Sequence, residues 1–243
     1  MTIAGKTGLV LLPGWVLGPR PLVPLSRAIE RCDSTIEVHR TVYPRWQHHR
    51  LEAWLEILDE TLPDNVWLGG WSMGGMLAAA LAERRGARTP GLITMGASAR
   101  AVFPAQMASD MAGPVAWPSL LAQGRHDVWH LGRRLLAALP NNGVRQSAAE
   151  FLLLMGMDLC RTLSRLEMPQ LHLFGEQDML IPPAARRRVS ECLPATGQIQ
   201  LMTGAGHGFV IDQAEETARV ITGFMTAHCQ NDASIKDTGS VQT

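Results

Sequence analysis

The feature that most constrains the fold of this chain is the pentapeptide Gly70-Trp71-Ser72-Met73-Gly74. It lies between an apolar run that predicts a strand, residues 66–68, and a run of good helix formers, residues 76–82. A strand that turns sharply into a helix needs small residues beside the turn, because the two backbones approach closely there. Such a turn projects the serine hydroxyl and points the N–H groups of the helix N-terminus at the same place. An ordinary glycine-rich turn around a buried serine also fits, so the interpretation depends on partner residues elsewhere.

Two such partners follow later in the chain, each just after a predicted strand. Residues 170–175 predict a buried strand that ends in glycine, and Asp178 lies three residues beyond it. Residues 198–202 predict a further strand, and His207 stands in the glycine-flanked loop that follows. The order serine, aspartate, histidine is that of the catalytic triad in α/β-hydrolases and differs from the orders of the chymotrypsin and subtilisin types. We therefore expect Ser72, Asp178 and His207 to converge on one edge of a parallel sheet.

The predicted triad implies nucleophilic catalysis at an acyl carbon. A serine hydroxyl is a weak nucleophile, so His207 would take its proton while Asp178 orients the imidazole and stabilises its charged form. The tetrahedral oxyanion needs at least two donors, and the N–H of Met73, directly after Ser72, is one candidate. The second donor is expected from the loop after the first central strand, where the N–H of Trp15 is the candidate.

Other histidines and acids compete for these roles. His172 lies within a predicted strand and is interpreted as a core residue or a neighbour of the site, whereas His48 and His49 precede a helix and are interpreted as solvated. The rival acids are Glu176, one residue past the strand-ending glycine, and Asp158, within a predicted helix. The acid is therefore the member of the triad that the sequence determines least firmly.

Composition fits one globular domain of the α/β class. The chain has 243 residues, of which 46% are hydrophobic, and this is enough for a sizeable core. A formal net charge of +0 argues against a general nucleic-acid binder. The cysteines lack C-x-x-C spacing and indicate neither a zinc site nor a disulfide framework; they are Cys32, Cys160, Cys192 and Cys229. Without a signal-peptide core or a stretch of transmembrane length, we expect a cytoplasmic monomer with no cofactor, metal or membrane contact.

Strands and helices alternate along the chain, which predicts a mostly parallel sheet flanked by helices. The predicted strands are residues 8–12, 36–42, 66–71, 91–96, 170–175 and 198–202. Residues 103–166 break the alternation with helical patterns and turn signals, and they predict a short helical lid over the serine. Residues 1–102 and 167–229 then form the core, and the polar, aperiodic residues 230–243 predict a disordered tail.

The predicted lid carries a basic helix face. In the helix predicted over residues 127–139, apolar side chains share one side, and the opposite side carries His126, His130, Arg133 and Arg134. Such a face indicates a docking surface for an acidic partner or an anionic substrate. An ordinary solvated helix face explains the same pattern, and the residues alone slightly favour it.

Segments outside the lid carry a resemblance to a known family. They are residues 11–18 (LLPGWVLG), 67–78 (WLGGWSMGGMLA) and 169–178 (PQLHLFGEQD), together with Gly206-His207. These segments resemble the pimeloyl-[acyl-carrier protein] methyl ester esterases of biotin synthesis, which are carboxylesterases of the α/β-hydrolase superfamily. The resemblance covers nearly the whole chain up to about Met225 and is weakest in the lid. It implies the same nucleophile, acid and base, and it places Trp15 and Met73 against the substrate carbonyl.

The resemblance also implies a reaction and a partner. The reaction is hydrolysis of the methyl ester of a pimeloyl chain held on acyl carrier protein, which releases methanol and frees the distal carboxylate. In the family, lid arginines meet the acidic carrier protein, and the residues near such positions here are Arg125, Arg133 and Arg134. Candidates for the wall of the acyl-chain site are Trp117, Leu120 and Leu121, although ordinary lid core explains them about as well. The lid looks shorter than in the family, and this departure bears on carrier-protein recognition more than on ester hydrolysis.

Two further functions stay open on the residues alone. A general small-ester or lactone hydrolase would use the same triad without a carrier-protein partner. A non-catalytic binding protein with this fold is the other alternative, but such a protein has no need for serine, aspartate and histidine together.

Overall fold

The computed structural model describes residues 6–15, 17–43, 50–101 and 144–238, with only the backbone described for Val144 and for residues 230–238. Within these ranges, six strands form a single sheet in the order β2-β1-β3-β4-β5-β6. Every neighbouring pair is parallel. The strands are β1 (Thr7–Leu12), β2 (Ile36–Arg40), β3 (Val66–Trp71), β4 (Leu92–Met95), β5 (Gln170–Gly175) and β6 (Gly197–Met202).

Helices connect these strands and cover both faces of the sheet. The described helices are α1 (Val23–Cys32), α2 (Leu51–Thr61), α3 (Met73–Arg85), α4 (Val144–Gly156), α5 (Cys160–Arg165), α6 (Pro183–Cys192), α7 (Phe209–Asp212) and α8 (Ala214–Thr238). Short 3-10 segments lie at Arg20–Leu22 and Gly86–Arg88. A parallel sheet needs helices on both faces because its crossover connections return over the sheet.

The sheet separates two apolar cores. One face packs β-strand side chains against α2, α3, α5 and α6, with Trp54 and Leu77 among its fully buried members. The other face packs against α1, α7 and α8, with Trp67 and Ile221 among its buried members. Strands β1, β3, β4 and β5 are buried on both faces, which explains their nearly continuous apolar sequences.

The parallel topology brings separate loops to one edge of the sheet. In the register of the central strands, Leu12 pairs with Gly70, and Trp71 pairs with Met95. The carboxyl ends of these strands therefore lie side by side, and the loops that leave them meet there. In open α/β sheets such an edge is the usual place for a ligand.

An ion cluster joins α2 to the end of α3. The Arg85 side chain is fully buried and donates to Asp59 Oδ1 over 2.8 Å, and Arg88 donates to Asp59 Oδ2 over 2.8 Å. The pKa of the Asp59 carboxyl is lowered, and the main cause is its hydrogen bond from Arg88. Because a buried guanidinium needs a charged partner, Asp59 anchors α3 to α2.

The structure corrects two sequence-based expectations about the fold. A disulfide links Cys160 in α5 to Cys192 in α6, with a Cα–Cα distance of 5.1 Å, although cysteine spacing indicated no disulfide. The two residues are 32 positions apart, and packing of α5 against α6, which no local pattern reveals, brings them together. Helix α8 runs to Thr238, into the segment predicted as a disordered tail from residue 230. No proline or glycine interrupts the chain from Phe224 to Thr238, so nothing in that stretch stops the helix.

The predicted lid lies only partly within the described residues. Helices α4 and α5 fall inside the predicted helical insertion, and an antiparallel bridge joins Arg100 to Asp158 where the insertion returns to the core. The predicted wall residues and the predicted docking arginines all fall between residues 102 and 143, outside the described residues. Across the described parts of the chain, no helix is long and apolar enough to span a membrane.

Candidate active site

Ser72 occupies a sharp turn between β3 and α3, as its pentapeptide predicts. Its φ of +56° and ψ of −124° fall in a region of backbone conformation that residues other than glycine rarely adopt. Glycines on either side make the turn possible. A Cβ on Gly70 would lie 2.1 Å from the Gly74 carbonyl oxygen, and one on Gly74 would lie 2.2 Å from the Leu12 carbonyl oxygen. The turn therefore lifts Ser72 to the carboxyl edge of the sheet.

Backbone hydrogen bonds hold Ser72 in this conformation. Its N–H donates to the Met95 carbonyl over 2.8 Å, and its own carbonyl accepts the Gly75 N–H over 2.9 Å. Met73 is the first residue of α3, so its N–H belongs to the first helical turn and has no partner within the helix. That amide is available at the same edge as the serine, as an oxyanion donor would need to be.

His207 and Asp178 form the second part of the site. The His207 Nδ1 lies 2.8 Å from Asp178 Oδ2, and the Asp178 side chain is fully buried. The other carboxylate oxygen, Oδ1, accepts the N–H groups of Leu180 over 2.8 Å and Ile181 over 3.0 Å. A carboxylate oxygen accepts hydrogen bonds, so this geometry favours the tautomer that carries its proton on Nδ1 and leaves the lone pair of the His207 Nε2 free.

The rival acids are engaged elsewhere. Glu176 Oε2 accepts the Gly204 N–H over 2.9 Å and so braces the loop that leads to His207. Asp158 Oδ1 accepts the N–H of Cys160 over 3.3 Å at the start of α5. The structure thus pairs the histidine with Asp178, the acid that the sequence analysis selected.

Trp71 and Gly96 connect the serine turn to the histidine. The Trp71 indole Nε1 donates to the His207 carbonyl over 3.0 Å, and its ring centroid lies 5.7 Å from that of the imidazole. Gly96 has a φ of +57°, and a Cβ there would lie 3.1 Å from His207 Cε1 and 3.4 Å from Asp178 Oδ2. Among the hydrogen bonds of the described residues, none joins the Ser72 hydroxyl to His207. Such contacts are often long in ligand-free sites and shorten when substrate binds.

The loop after β1 lies against the serine. A Cβ on Gly14 would lie 3.5 Å from Ser72 Cβ and 3.5 Å from the Trp71 carbonyl oxygen. A turn closed by the Leu17 N–H and the Gly14 carbonyl, 3.1 Å apart, includes Trp15. The structure therefore brings Gly14, the residue before Trp15, against Ser72, and Met73 directly follows Ser72 in the chain. The oxyanion roles of the Met73 and Trp15 amides stay predictions.

His172 is a core residue, which agrees with its interpretation from sequence. It is fully buried, its Nδ1 lies 2.7 Å from Thr94 Oγ1, and its Nε2 lies 3.4 Å from Gln170 Oε1. Burial lowers the pKa of His172 to about 3, so the imidazole is neutral and serves the contact between β4 and β5.

Tyr43 is a site residue that the sequence analysis missed. Its hydroxyl donates to the Pro13 carbonyl over 2.6 Å, directly before the loop that holds Trp15. The available signal was its place just after β2, next to β1 at the carboxyl edge. In the described part of the chain, no group of three or more His, Cys, Asp or Glu residues could hold a metal ion.

Comparison with known proteins shows the family to which this chain belongs. The model of the alpha/beta hydrolase family matches residues 9–220, and the chain belongs to that family. A pimeloyl-[acyl-carrier protein] methyl ester esterase from Serratia marcescens is 27% identical over 258 residues, which cover 92% of this chain and 96% of the relative. A biotin biosynthesis bifunctional protein from Cellvibrio japonicus is 29% identical over 236 residues, which cover 89% of this chain but only 47% of the relative. The chain thus spans about half the length of that bifunctional relative.

Solved structures show the same fold. The enol-lactonase from Burkholderia xenovorans LB400 superposes with a TM-score of 0.73 at 18% identity, covering 91% of this chain and 92% of the other. MenH from S. aureus superposes with a TM-score of 0.69 at 18% identity, covering 93% and 96%. These comparisons confirm the predicted α/β-hydrolase fold and the resemblance to the pimeloyl ester esterases. Family and relatives together support a carboxylic ester hydrolase.

Proposed function

We propose that this protein is a serine carboxylesterase in which Ser72 is the nucleophile, His207 the general base and Asp178 the orienting acid. The observation that carries the proposal is the buried Asp178–His207 hydrogen bond beside a serine held at positive φ. A strained serine costs stability, and its position at an edge with a histidine and free helix amides is the arrangement that acyl transfer needs.

The proposed reaction proceeds through a covalent acyl-enzyme. The Ser72 oxygen attacks the ester carbon while its proton passes to His207 Nε2. The resulting oxyanion accepts hydrogen bonds from the N–H groups of Met73 and Trp15. Collapse breaks the bond to the alcohol oxygen, which leaves with the proton from His207. Water then attacks the acyl-enzyme, gives a proton to His207 and releases the free carboxylate and Ser72.

For the substrate, we propose the methyl ester of a pimeloyl group carried by acyl carrier protein, with methanol as the leaving alcohol. The support is the name of the Serratia marcescens relative, whose length this chain covers almost completely. The proposal places the protein in biotin synthesis in the cytoplasm. It assigns carrier-protein docking to Arg125, Arg133 and Arg134, and the acyl-chain wall to Trp117, Leu120 and Leu121.

The test replaces the nucleophile and compares two substrates. Ser72→Ala should abolish hydrolysis of a short p-nitrophenyl ester and labelling by a fluorophosphonate, with the circular dichroism spectrum unchanged. Ser164→Ala is the matched control, since it removes a serine hydroxyl that donates only to the Arg161 carbonyl in α5. Retained labelling of Ser72→Ala would overturn the assignment of the nucleophile.

The substrate is tested separately from the mechanism. The native protein should hydrolyse the carrier-linked pimeloyl methyl ester with a higher kcat/KM than free dimethyl pimelate, and it should support growth of a biotin-requiring strain that lacks its own pimeloyl ester esterase. Equal kcat/KM values for both esters, without growth, would instead indicate a general small-ester or lactone hydrolase. Absence of any covalent adduct in the native protein would indicate a binding protein.

A further inference from the structure

We propose that Tyr43 is a positioning residue for the oxyanion loop, residues 13–15. Its hydroxyl holds the Pro13 carbonyl and thereby orients the peptide group that leads into Gly14 and Trp15. The inference rests on the proposed function, because an oxyanion loop matters only if Ser72 carries out acyl transfer.

The position of Tyr43 follows from the sheet order. Strand β2 is the neighbour of β1, and the Thr41 N–H donates to the Leu11 carbonyl over 3.0 Å, which continues their pairing past the end of β2. Tyr43 comes two residues later and so reaches the loop that leaves β1. Its hydroxyl donates to the Pro13 carbonyl over 2.6 Å.

The Pro13 carbonyl controls the direction of the loop. The ring of Pro13 fixes its φ, so its ψ is the remaining soft torsion of that residue. The same ψ sets the direction of the carbonyl and of the Gly14 N–H, because both belong to one planar peptide group. A hydrogen bond to this carbonyl therefore holds the entry to Gly14 and Trp15 in one orientation.

The Pro13 carbonyl oxygen also contacts the start of helix α3. A Cβ on Gly74 would lie 2.4 Å from the Pro13 carbonyl oxygen, so the oxygen rests against the second residue of α3. The Pro13 carbonyl is thus held between the helix that begins after Ser72 and the Tyr43 hydroxyl. The loop is positioned relative to the nucleophile from both sides.

The Tyr43 side chain is itself held firmly. Its ring packs edge-on against the buried Trp54 of α2, with centroids 5.1 Å apart. Burial, and then the charge of Glu150 in α4, raise the pKa of the Tyr43 phenol well above its usual value. The hydroxyl therefore keeps its proton and remains a donor at neutral pH.

Helix α4 holds the far part of the same loop. The Trp15 indole nitrogen donates to the Ser147 carbonyl over 3.0 Å, and the Trp15 ring lies 5.4 Å from that of Phe151. The loop is therefore held by Tyr43 where it starts and by α4 at Trp15. Loss of the first contact should tilt the donor at Trp15 without removing it.

Such a tilt should weaken the stabilisation of the transition state more than the binding of the substrate. An oxyanion donor makes its best hydrogen bond to the tetrahedral oxygen, and removal of a whole donor costs about 100- to 1,000-fold in kcat. Tyr43→Phe only loosens the loop and keeps the ring against Trp54. We expect a fall in kcat of about tenfold with KM changed by less than about twofold.

The experiment compares native protein, Tyr43→Phe and Thr222→Val with a short p-nitrophenyl ester and with an alkyl trifluoromethyl ketone. The ketone forms a hemiketal oxyanion on the nucleophile and so reports on the oxyanion donors directly. The matched control, Thr222→Val, removes one side-chain donor to a backbone carbonyl, that of Arg219, in α8. For Tyr43→Phe, the inhibition constant of the ketone should rise by the same factor as kcat/KM falls. The control should match the native protein in both values.

The outcomes separate this inference from the proposed function. A merely structural role for Tyr43 would lower the melting temperature and the active fraction but leave the inhibition constant unchanged, and that result would overturn the inference. If Tyr43→Phe fails to fold, Pro13→Ala frees the φ of the same residue and should raise the inhibition constant in the same way. Native kcat and inhibition constant in either folded variant would also overturn it. A native protein without Ser72-dependent turnover would overturn both the inference and the proposed function.

Discussion

At the scale of single residues, the site depends on positions where the backbone is unusual or a side chain is fully enclosed. Ser72 and Gly96 both have positive φ, and Gly96 lies against the His207 ring. Asp178 is enclosed and accepts three hydrogen bonds, one from His207 and two from backbone amides. A substitution at any of these residues would disturb the backbone conformation or the hydrogen bonds of the site.

The identity of the acid gives a prediction at this scale. Asp178→Asn should keep the fold, but the amide would favour the wrong tautomer of His207 and lower kcat by about 10,000-fold. Glu176→Gln is the matched control and should stay within about tenfold of the native protein, because Glu176 contacts the Gly204 amide and not the histidine. Both variants are assayed with the short ester. A larger loss in Glu176→Gln than in Asp178→Asn would show that the acid has been misassigned.

At the scale of secondary-structure elements, helix α3 links the site to the rest of the fold. Its first residues supply the amide at Met73 and contact the loop after β1, and its last residues are held by Asp59 of α2. The N-terminal half of α3 could be predicted from the pentapeptide, since its glycines are required by close backbone approach. The ion pair that anchors its C-terminal end could not be predicted from the sequence, because Arg85 and Asp59 become neighbours only when α2 packs on α3.

The anchor gives a prediction about stability. Asp59→Asn removes the nearer of the two carboxylates that contact the buried Arg85 and leaves only Asp64 Oδ1, 3.5 Å away, as its charged partner. The change should lower the free energy of unfolding by about 2 kcal/mol at pH 7. The folded-state pKa of Asp59 is lowered, so its contribution is present above the unfolded pKa, near 4, and is lost as pH falls through the folded value. Urea unfolding from pH 7 down to pH 3 measures both effects. The neighbouring exposed Glu60→Gln serves as control, and an equal loss there would refute the specific role of Asp59.

At the scale of the whole molecule, the proposed reaction centre lies at the edge of the sheet, and the insertion after β4 is proposed to determine the choice of substrate. The described part of that insertion, α4, already contacts the oxyanion loop through Trp15. The predicted docking arginines and wall residues lie outside the described residues, so their roles remain predictions. Recognition of a carrier protein would therefore be separable from the chemistry at Ser72.

This separation is testable by charge reversal. Arg133→Glu combined with Arg134→Glu should lower kcat/KM for the carrier-linked ester by about tenfold or more, because an acidic partner is steered by positive charge. The same double variant should leave hydrolysis of the short ester within about twofold of native, and its effect should shrink at high salt. Steady-state kinetics with both substrates measures this. Equal losses on both esters would contradict the docking role.

The sequence by itself determined the fold class, the sharp turn at Ser72 and the order of the three candidate triad residues. These features are local: a strand, a turn and a helix each leave their pattern within about ten residues, and chain order follows directly. Only the tertiary structure decided which acid meets His207, that Tyr43 reaches the Pro13 carbonyl, and that Cys160 pairs with Cys192. Each of these contacts joins groups from elements far apart in the chain, so the partners are set by how the sheet and helices pack and not by any spacing along the sequence.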